Sequence, residues 1–214
     1  VTKRLVISVE PDKLVMTSQN LVSKSKTIRT IEYTPGWNLI STRNANGSGV
    51  DFSPPLKYYE FPLEPGKTWK QNSVATNVKT GATREFSLSG VVGGWEDVSI
   101  PAGTFKGIKV TLNSEIFVPA TGKRSFGTDT SWYVPELRRS VKSEMTSRNS
   151  EGIEGRQLIQ LREYELSKTH SYKSREANAS PKIEQKEPTK KTGVLVKTDL
   201  SPPSVQDNNS QGSK

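Results

Sequence analysis

The chain has 214 residues, a hydrophobic fraction of 31% and a mean hydropathy of -0.64, low for a chain of this length folded throughout. It has no cysteine, which excludes disulfides and thiolate metal sites. Its net charge is +9, spread as +5 over residues 1–166 and +4 over residues 167–214; neither part holds the dense basic block of a nucleic-acid footprint, so nucleic acid is not an expected partner.

No run of about 18 apolar residues occurs, which excludes a membrane-spanning helix. The first residues, Val1 to Ser8, lack the long apolar stretch and small-residue cleavage site of a signal peptide. A start at Val rather than Met points to a processed or truncated product.

Taken in order, Thr2–Val9 reads as a strand rich in Leu5, Val6, Ile7 and Val9. Pro11-Asp12 turns the chain, and Lys13–Ser18 resumes strand character. Val22–Tyr33 is rich in Ser, Thr and β-branched residues, which favours a strand over a helix. Pro35-Gly36 breaks the chain, and a short strand is expected from Trp37 to Ile40. Arg43–Pro55, with Asn44, Asn46, Gly47, Gly49 and Pro54-Pro55, reads as the longest loop of the body. Glu64-Pro65-Gly66-Lys67 has the residues of a type II turn.

From Thr68 the pattern is a meander. Trp69–Val78 is a strand, Lys79–Ala82 a hairpin turn, and Phe86, Leu88, Gly90 and Val92 share one parity. Gly93-Gly94 allows a bend or bulge before Trp95. Val98 and Ile100 share a parity before the turn at Pro101-Ala102-Gly103. Ile108, Val110, Leu112 and Ile116 then alternate with polar residues, as a sheet with one buried and one wet face requires. Phe126 to Val134 returns after the loop at Pro119–Gly122. Trp132 and Tyr133 are adjacent, so one is expected inside and the other outside. The choice is Trp132 inside, because it shares parity with Phe126 and Val134. Leu137, Val141 and Met145 share the next parity, and Gln157–Leu166 reads as the closing strand.

Roughly ten strands joined by Gly/Pro/Asn turns predict an all-β fold, an antiparallel meander curled into a barrel or sandwich. This β-rich domain is expected over residues 1–166. Residues 167–214 are Ser, Lys, Pro, Asn, Gln and Glu with only a Val194–Val196 patch and Leu200 as apolar relief. Such a segment buries too little surface to offset its ordering entropy and is expected as a disordered basic tail.

Catalytic chemistry is mostly excluded. The single histidine, His170, falls in the expected tail, so Ser-His-Asp and Cys-His systems and histidine metal sites lack their parts. No metal or cofactor is expected. Ser23 and Lys26 form a bare Ser-x-x-Lys without companion motifs. Glu96, Asp97 and Asp129 are the carboxylates available for an acid/base pair, but neighbours on a strand point to opposite faces. Asn46, Asn178 and Asn208 sit in Asn-x-Ser sequences within loop or tail. The tryptophans Trp37, Trp69, Trp95 and Trp132 either fill a core or line a ligand site. The candidate ligand-binding set is Trp69, Trp95, Phe105, Trp132 and Tyr133.

Three stretches carry a resemblance: Phe61-Pro-Leu63-x-Pro-Gly66-Lys-Thr-Trp69, Val98-x-Ile100-Pro-Ala-Gly-Thr-Phe105 and Trp132-Tyr-x-Pro135. They resemble a group of uncharacterised bacterial envelope proteins in which a Pro-Ala-Gly-x-Phe hairpin precedes a Trp-Tyr-x-Pro strand. The resemblance covers about residues 56–166, and its strand pattern is similar to that of curved-sheet carriers of lipoproteins and lipids. It implies a periplasmic or cell-envelope location. The resulting expectation is a non-enzymatic domain that binds a lipid or other apolar or amphipathic ligand, or an envelope protein partner. Two alternatives are an interaction module whose basic tail meets anionic surfaces, and a carboxylate-dependent glycan hydrolase.

Overall fold

The computed structural model describes residues 2–21 and 28–165. The expected tail with its Val194–Val196 patch, His170, Asn178, Asn208 and the Ser23–Lys26 motif lie outside these residues. The described residues form eleven strands: β1 (Thr2–Val9), β2 (Leu14–Asn20), β3 (Ile28–Tyr33), β4 (Leu39–Asn44), β5 (Gly49–Leu56), β6 (Thr68–Asn77), β7 (Thr83–Ile100), β8 (Gly103–Val118), β9 (Lys123–Val134), β10 (Arg139–Asn149) and β11 (Glu154–Gln160). Each pairs antiparallel with its neighbour in sequence, giving one sheet in the order β1 to β11. The predicted all-β meander is therefore what forms. Side chains of β1–β3 and β8–β11 line one interior cavity, so the sheet curls; β1 and β11 do not pair, so it stays open. Among the described residues the sole helical element is a single 3₁₀ turn, Pro135–Leu137, and no helix is long and apolar enough to cross a membrane.

The long strands follow from alternation. On β8, Ile108, Val110 and Leu112 are buried on one side, and β7 and β9 pair across them with Val92, Trp95 and Tyr133. Trp69 packs on the same core, lying over Gly90, its cross-strand partner. A Cβ at Gly90 would stand 2.2 Å from the indole, so the missing side chain is what lets the ring lie flat on the sheet.

The Gly93-Gly94 bulge is present. Val92 pairs with Val110 but Trp95 with Ile108, so β7 carries one extra residue there. A slip of one residue exchanges the faces of everything beyond it. Val98 and Ile100 therefore leave the side of Val92 and join Trp132 and Val134 on the opposite side. That second face is covered by the chain end after β11. Leu161 receives a backbone bond from Ala102 (3.3 Å) and donates one to Val141 (2.8 Å), and Tyr164 meets Phe105 edge-on at 6.1 Å. The closing strand thus ends at Gln160, and residues 161–165 turn across the tip of the β7–β8 hairpin.

This coverage corrects the either-or expectation for Trp132 and Tyr133. Both are buried, Trp132 in the outer cluster with Val98, Val134, Val141 and Leu161, and Tyr133 in the inner one with Ile108 and Val110. Phe126, the parity partner used to orient Trp132, is 51% exposed, because the cover does not extend that far along β9.

A second correction concerns residues 43–55. They are strand for most of their length, with a tight turn closed by Gly47 N to Asn44 O and Asn44 N to Ser48 O. Pro54 and Pro55 have no N–H for the ladder. Side chains take over: Ser73 Oγ donates to Pro54 O (2.6 Å), and Gln71 Nε2 to Pro55 O (2.9 Å) while its Oε1 accepts from Lys57 N (2.8 Å). Gln71 thereby aims the true long connection, residues 57–67, so that Tyr58, Tyr59 and Leu63 pack on the inner core. That connection ends in the expected turn, with Lys67 N bonded to Glu64 O and Gly66 at φ +89°.

Candidate functional site

At the end of the sheet where the 3₁₀ turn follows β9 lies an open groove of about 460 Å³. Its walls are Pro35, Trp37, Phe61, Pro62, Leu63 and Pro135, with Trp95, Ile108, Tyr133 and Arg138. Trp95 and Phe61 remain 46% and 40% exposed. Tyr133 joins the aromatic walls to each other, with Tyr59 and Phe61 rings both at 5.3 Å.

Among the described residues, the non-glycine residues with positive φ are Trp37 at +62° and Arg138 at +50°, and both line this groove. A bulky residue in the left-handed region is disfavoured by contact of its Cβ with the backbone, so surrounding bonds must hold it. Thr34 does so: its carbonyl accepts from Trp37 N (2.9 Å), its N–H donates to Asn38 O (2.8 Å), and its Oγ1 accepts from Asn38 N (3.1 Å). The Trp37 ring also packs on Tyr33 at 5.6 Å. Arg138 is pinned by its N–H to Pro135 O (3.0 Å), which leaves its exposed guanidinium at the groove margin. Strain of this kind persists where the surroundings impose it, and it gathers at binding sites.

Trp37 also lines a second, interior cavity of about 110 Å³. Here the lining is polar: Arg4, Tyr33, Tyr58, Tyr59, Asp129, Ser131, Arg139 and Ser140 stand among Met16, Leu112 and Ile159. Tyr59 Oη lies 3.4 Å from Ser131 Oγ. Burial pushes the Tyr33, Tyr58 and Tyr59 phenols up, Tyr59 to about 12, so all three keep their protons at neutral pH. Burial, and then the Arg4 guanidinium, lower Arg139 to about 10, which still leaves it charged. Burial raises the Asp129 carboxyl, and the hydrogen bond from Ser143 partly offsets that.

The five sequence candidates therefore part company. Trp95 and Tyr133 meet in the groove. Trp69 is a core residue whose Nε1 donates to Lys57 O (3.4 Å). Phe105 packs on Tyr164 beside the outer cluster. Trp132 lies on the outer face between Lys109 and Lys142, whose ammonium groups sit 5.5 and 4.5 Å from its ring centre, and its Nε1 donates to Glu96 Oε2 (2.7 Å). Glu96, facing Trp132, and Asp129, paired with Leu112 on the inner face, lie on opposite sides of the sheet. The residues that the sequence reading left out of the site are Trp37, Phe61, Leu63 and Arg138 in the groove, and Arg4 and Arg139 in the cavity. The available signal was an arginine at an inward strand position, visible once the inward face is known.

No family model matches the chain, and no curated protein matches it. Two solved structures align with it. One is a protein of Parabacteroides distasonis classed as a lipoprotein, at 12% identity and a TM-score of 0.39, over 72% of this chain and 89% of the other. The second is a protein of Bacteroides fragilis classed as exported, with a YmcC-like fold, at 13% identity and the same TM-score and coverage.

Proposed function

We propose that this chain is a non-enzymatic binding domain of the bacterial cell envelope, and that its groove holds an apolar or amphipathic ligand carrying an anionic group. The observation that carries the reading is the meeting, in one concavity, of exposed Trp95 and Phe61 with both left-handed residues, Trp37 and Arg138. A volume of about 460 Å³ lies in the usual range for small-molecule sites. The apolar walls suit a hydrocarbon or ring system, and the exposed Arg138 guanidinium suits a carboxylate or phosphate at its end. The envelope location rests on the Pro-Ala-Gly-x-Phe and Trp-Tyr-x-Pro resemblance.

The test is titration of the full chain with dodecanoate and with dodecanol, followed by tryptophan fluorescence and calorimetry. Both ligands should saturate one site. Trp95→Ala and Phe61→Ala should each weaken both by about tenfold, roughly the 1.4 kcal/mol of lost ring contact. Arg138→Gln should weaken dodecanoate alone. If neither ligand binds, or if none of the three substitutions changes binding, the groove reading is wrong.

A further inference from the structure

The interior cavity has a composition that a structural core does not need. Arg4 and Arg139 both line it, one from the first strand and one from the tenth. Arg4 is 8% exposed. Arg139 Nε is buried with no hydrogen-bond partner, and no ion pair to Arg139 occurs among the described residues. Bringing two like charges to one interior costs free energy, and leaving a guanidinium N–H unsatisfied adds to it. The surrounding polar groups do not supply the missing acceptor. None of the Tyr33, Tyr58 and Tyr59 hydroxyls accepts from Arg139 Nε, and Tyr59 is itself hydrogen-bonded to Ser131. The one carboxylate lining the cavity, Asp129, accepts from Ser143 and makes no ion pair with Arg139.

We propose that this cavity is a binding site for one oxyanion, a carboxylate or phosphate group, held by Arg139 with Arg4 and the phenol hydroxyls of Tyr33 and Tyr59. Guanidinium forks match the geometry of both groups. At about 110 Å³ the space is of a size to take a carboxylate or phosphate group. The site is separate from the groove and does not rest on it: Trp37 lines both, while Arg139 lines the cavity and Arg138 the groove. The two neighbouring arginines thus face different ligand sites.

The experiment uses the full chain titrated with inorganic phosphate, with acetate and with dodecyl phosphate, at constant ionic strength set by chloride. It is read by calorimetry and by the ¹H–¹⁵N signal of the arginine Nε–H groups. Inorganic phosphate or acetate should saturate a single site and shift the Arg139 Nε–H signal. Arg139→Met should weaken binding at least tenfold, and Arg138→Gln less than twofold. The Nε–H measurement on the wild-type chain stands even if Arg139→Met fails to fold. Dodecyl phosphate that shifts the Arg139 Nε–H signal at a tenfold lower concentration than phosphate identifies an amphiphile's head group as the source, and an equal concentration at that signal identifies the free anion. A wild-type chain that binds neither phosphate nor acetate, leaving water as the occupant, overturns the proposal. So does a folded Arg139→Met variant that binds as tightly as the wild type. Uncharged dodecanol binding in the groove is unaffected by either outcome, so the two readings fail separately.

Discussion

The groove and the interior cavity share Trp37 as a wall yet are built from opposite materials. The groove is apolar and open, and Arg138 stands exposed at its margin. The cavity is small and lies within the curl of the sheet, and it is lined by Arg4, Arg139 and three tyrosines. The difference follows from who supplies the walls. The groove is made mainly by connections, residues 35–37, 61–63 and 135–138, which carry prolines and aromatics and lie outside strand alternation; the strands add only Trp95, Ile108 and Tyr133 as its floor. The cavity is made mainly by strands, whose inward positions are fixed by register, so any polar residue at an inward position must be buried whether or not it has a partner.

The shared wall is where this contrast breaks most severely. Trp37→Ala removes a ring that packs on both inner clusters and on Tyr33. It should cost about 3 kcal/mol in denaturant unfolding, and it should join the two spaces so that dodecanoate and phosphate binding both weaken. Loss of binding at one site alone would show that Trp37 is not a common wall.

Arg139→Met sharpens the contrast from the other side. Replacing a half-buried cation whose Nε is buried without a partner by an apolar chain of similar length should raise stability by about 1 kcal/mol in urea. A lower midpoint would mean that Arg139 serves the fold rather than a ligand.

Glu96→Gln provides a reference outside both sites. The hydrogen bond from Trp132 Nε1, and then that from Lys109, hold the Glu96 carboxyl below its ordinary 4.5. A depressed folded value stabilises the fold above the unfolded pKa and is lost as the pH falls through the lower folded one. Glu96 is largely solvated, so the effect is about 0.5 kcal/mol. The variant should be less stable than wild type by that amount at pH 7, and the difference should vanish as the pH falls below the folded Glu96 value, in parallel melts. Ligand binding at groove and cavity should not change.

Trp95→Ala should shift stability least, within about 0.5 kcal/mol, because its ring is half exposed. The same substitution is expected to weaken groove binding tenfold. A large loss of stability would place Trp95 with the core residues instead.

Much of the frame was legible from the chain itself. The β8 alternation, the turn at Glu64–Lys67, the hairpin at Lys79–Ala82 and the bulge at Gly93-Gly94 are all local. Each is dictated by side-chain period, by proline's fixed φ or by glycine's freedom, and each stands where expected. The groove was legible in part, through Trp95 and Tyr133. Its other members were not, because Phe61 and Trp37 are far from β7 and β9 in sequence and meet them only when the 57–67 connection folds over the inner core.

By itself, the sequence determined that this protein is an antiparallel strand meander and where most of its turns fall, because alternation and turn chemistry act over a few neighbouring residues. The tertiary structure alone decided which faces are covered. Residues 161–165 bury the outer side of Trp132 while Tyr133 stays buried on the inner side. On β1, Thr2 and Arg4 are buried, whereas Leu5, Val6, Ile7 and Val9 stay exposed. Alternation states which residues share a side, but only the packing of distant segments states which side loses its water. That choice gathers the groove and places two arginines around one interior space.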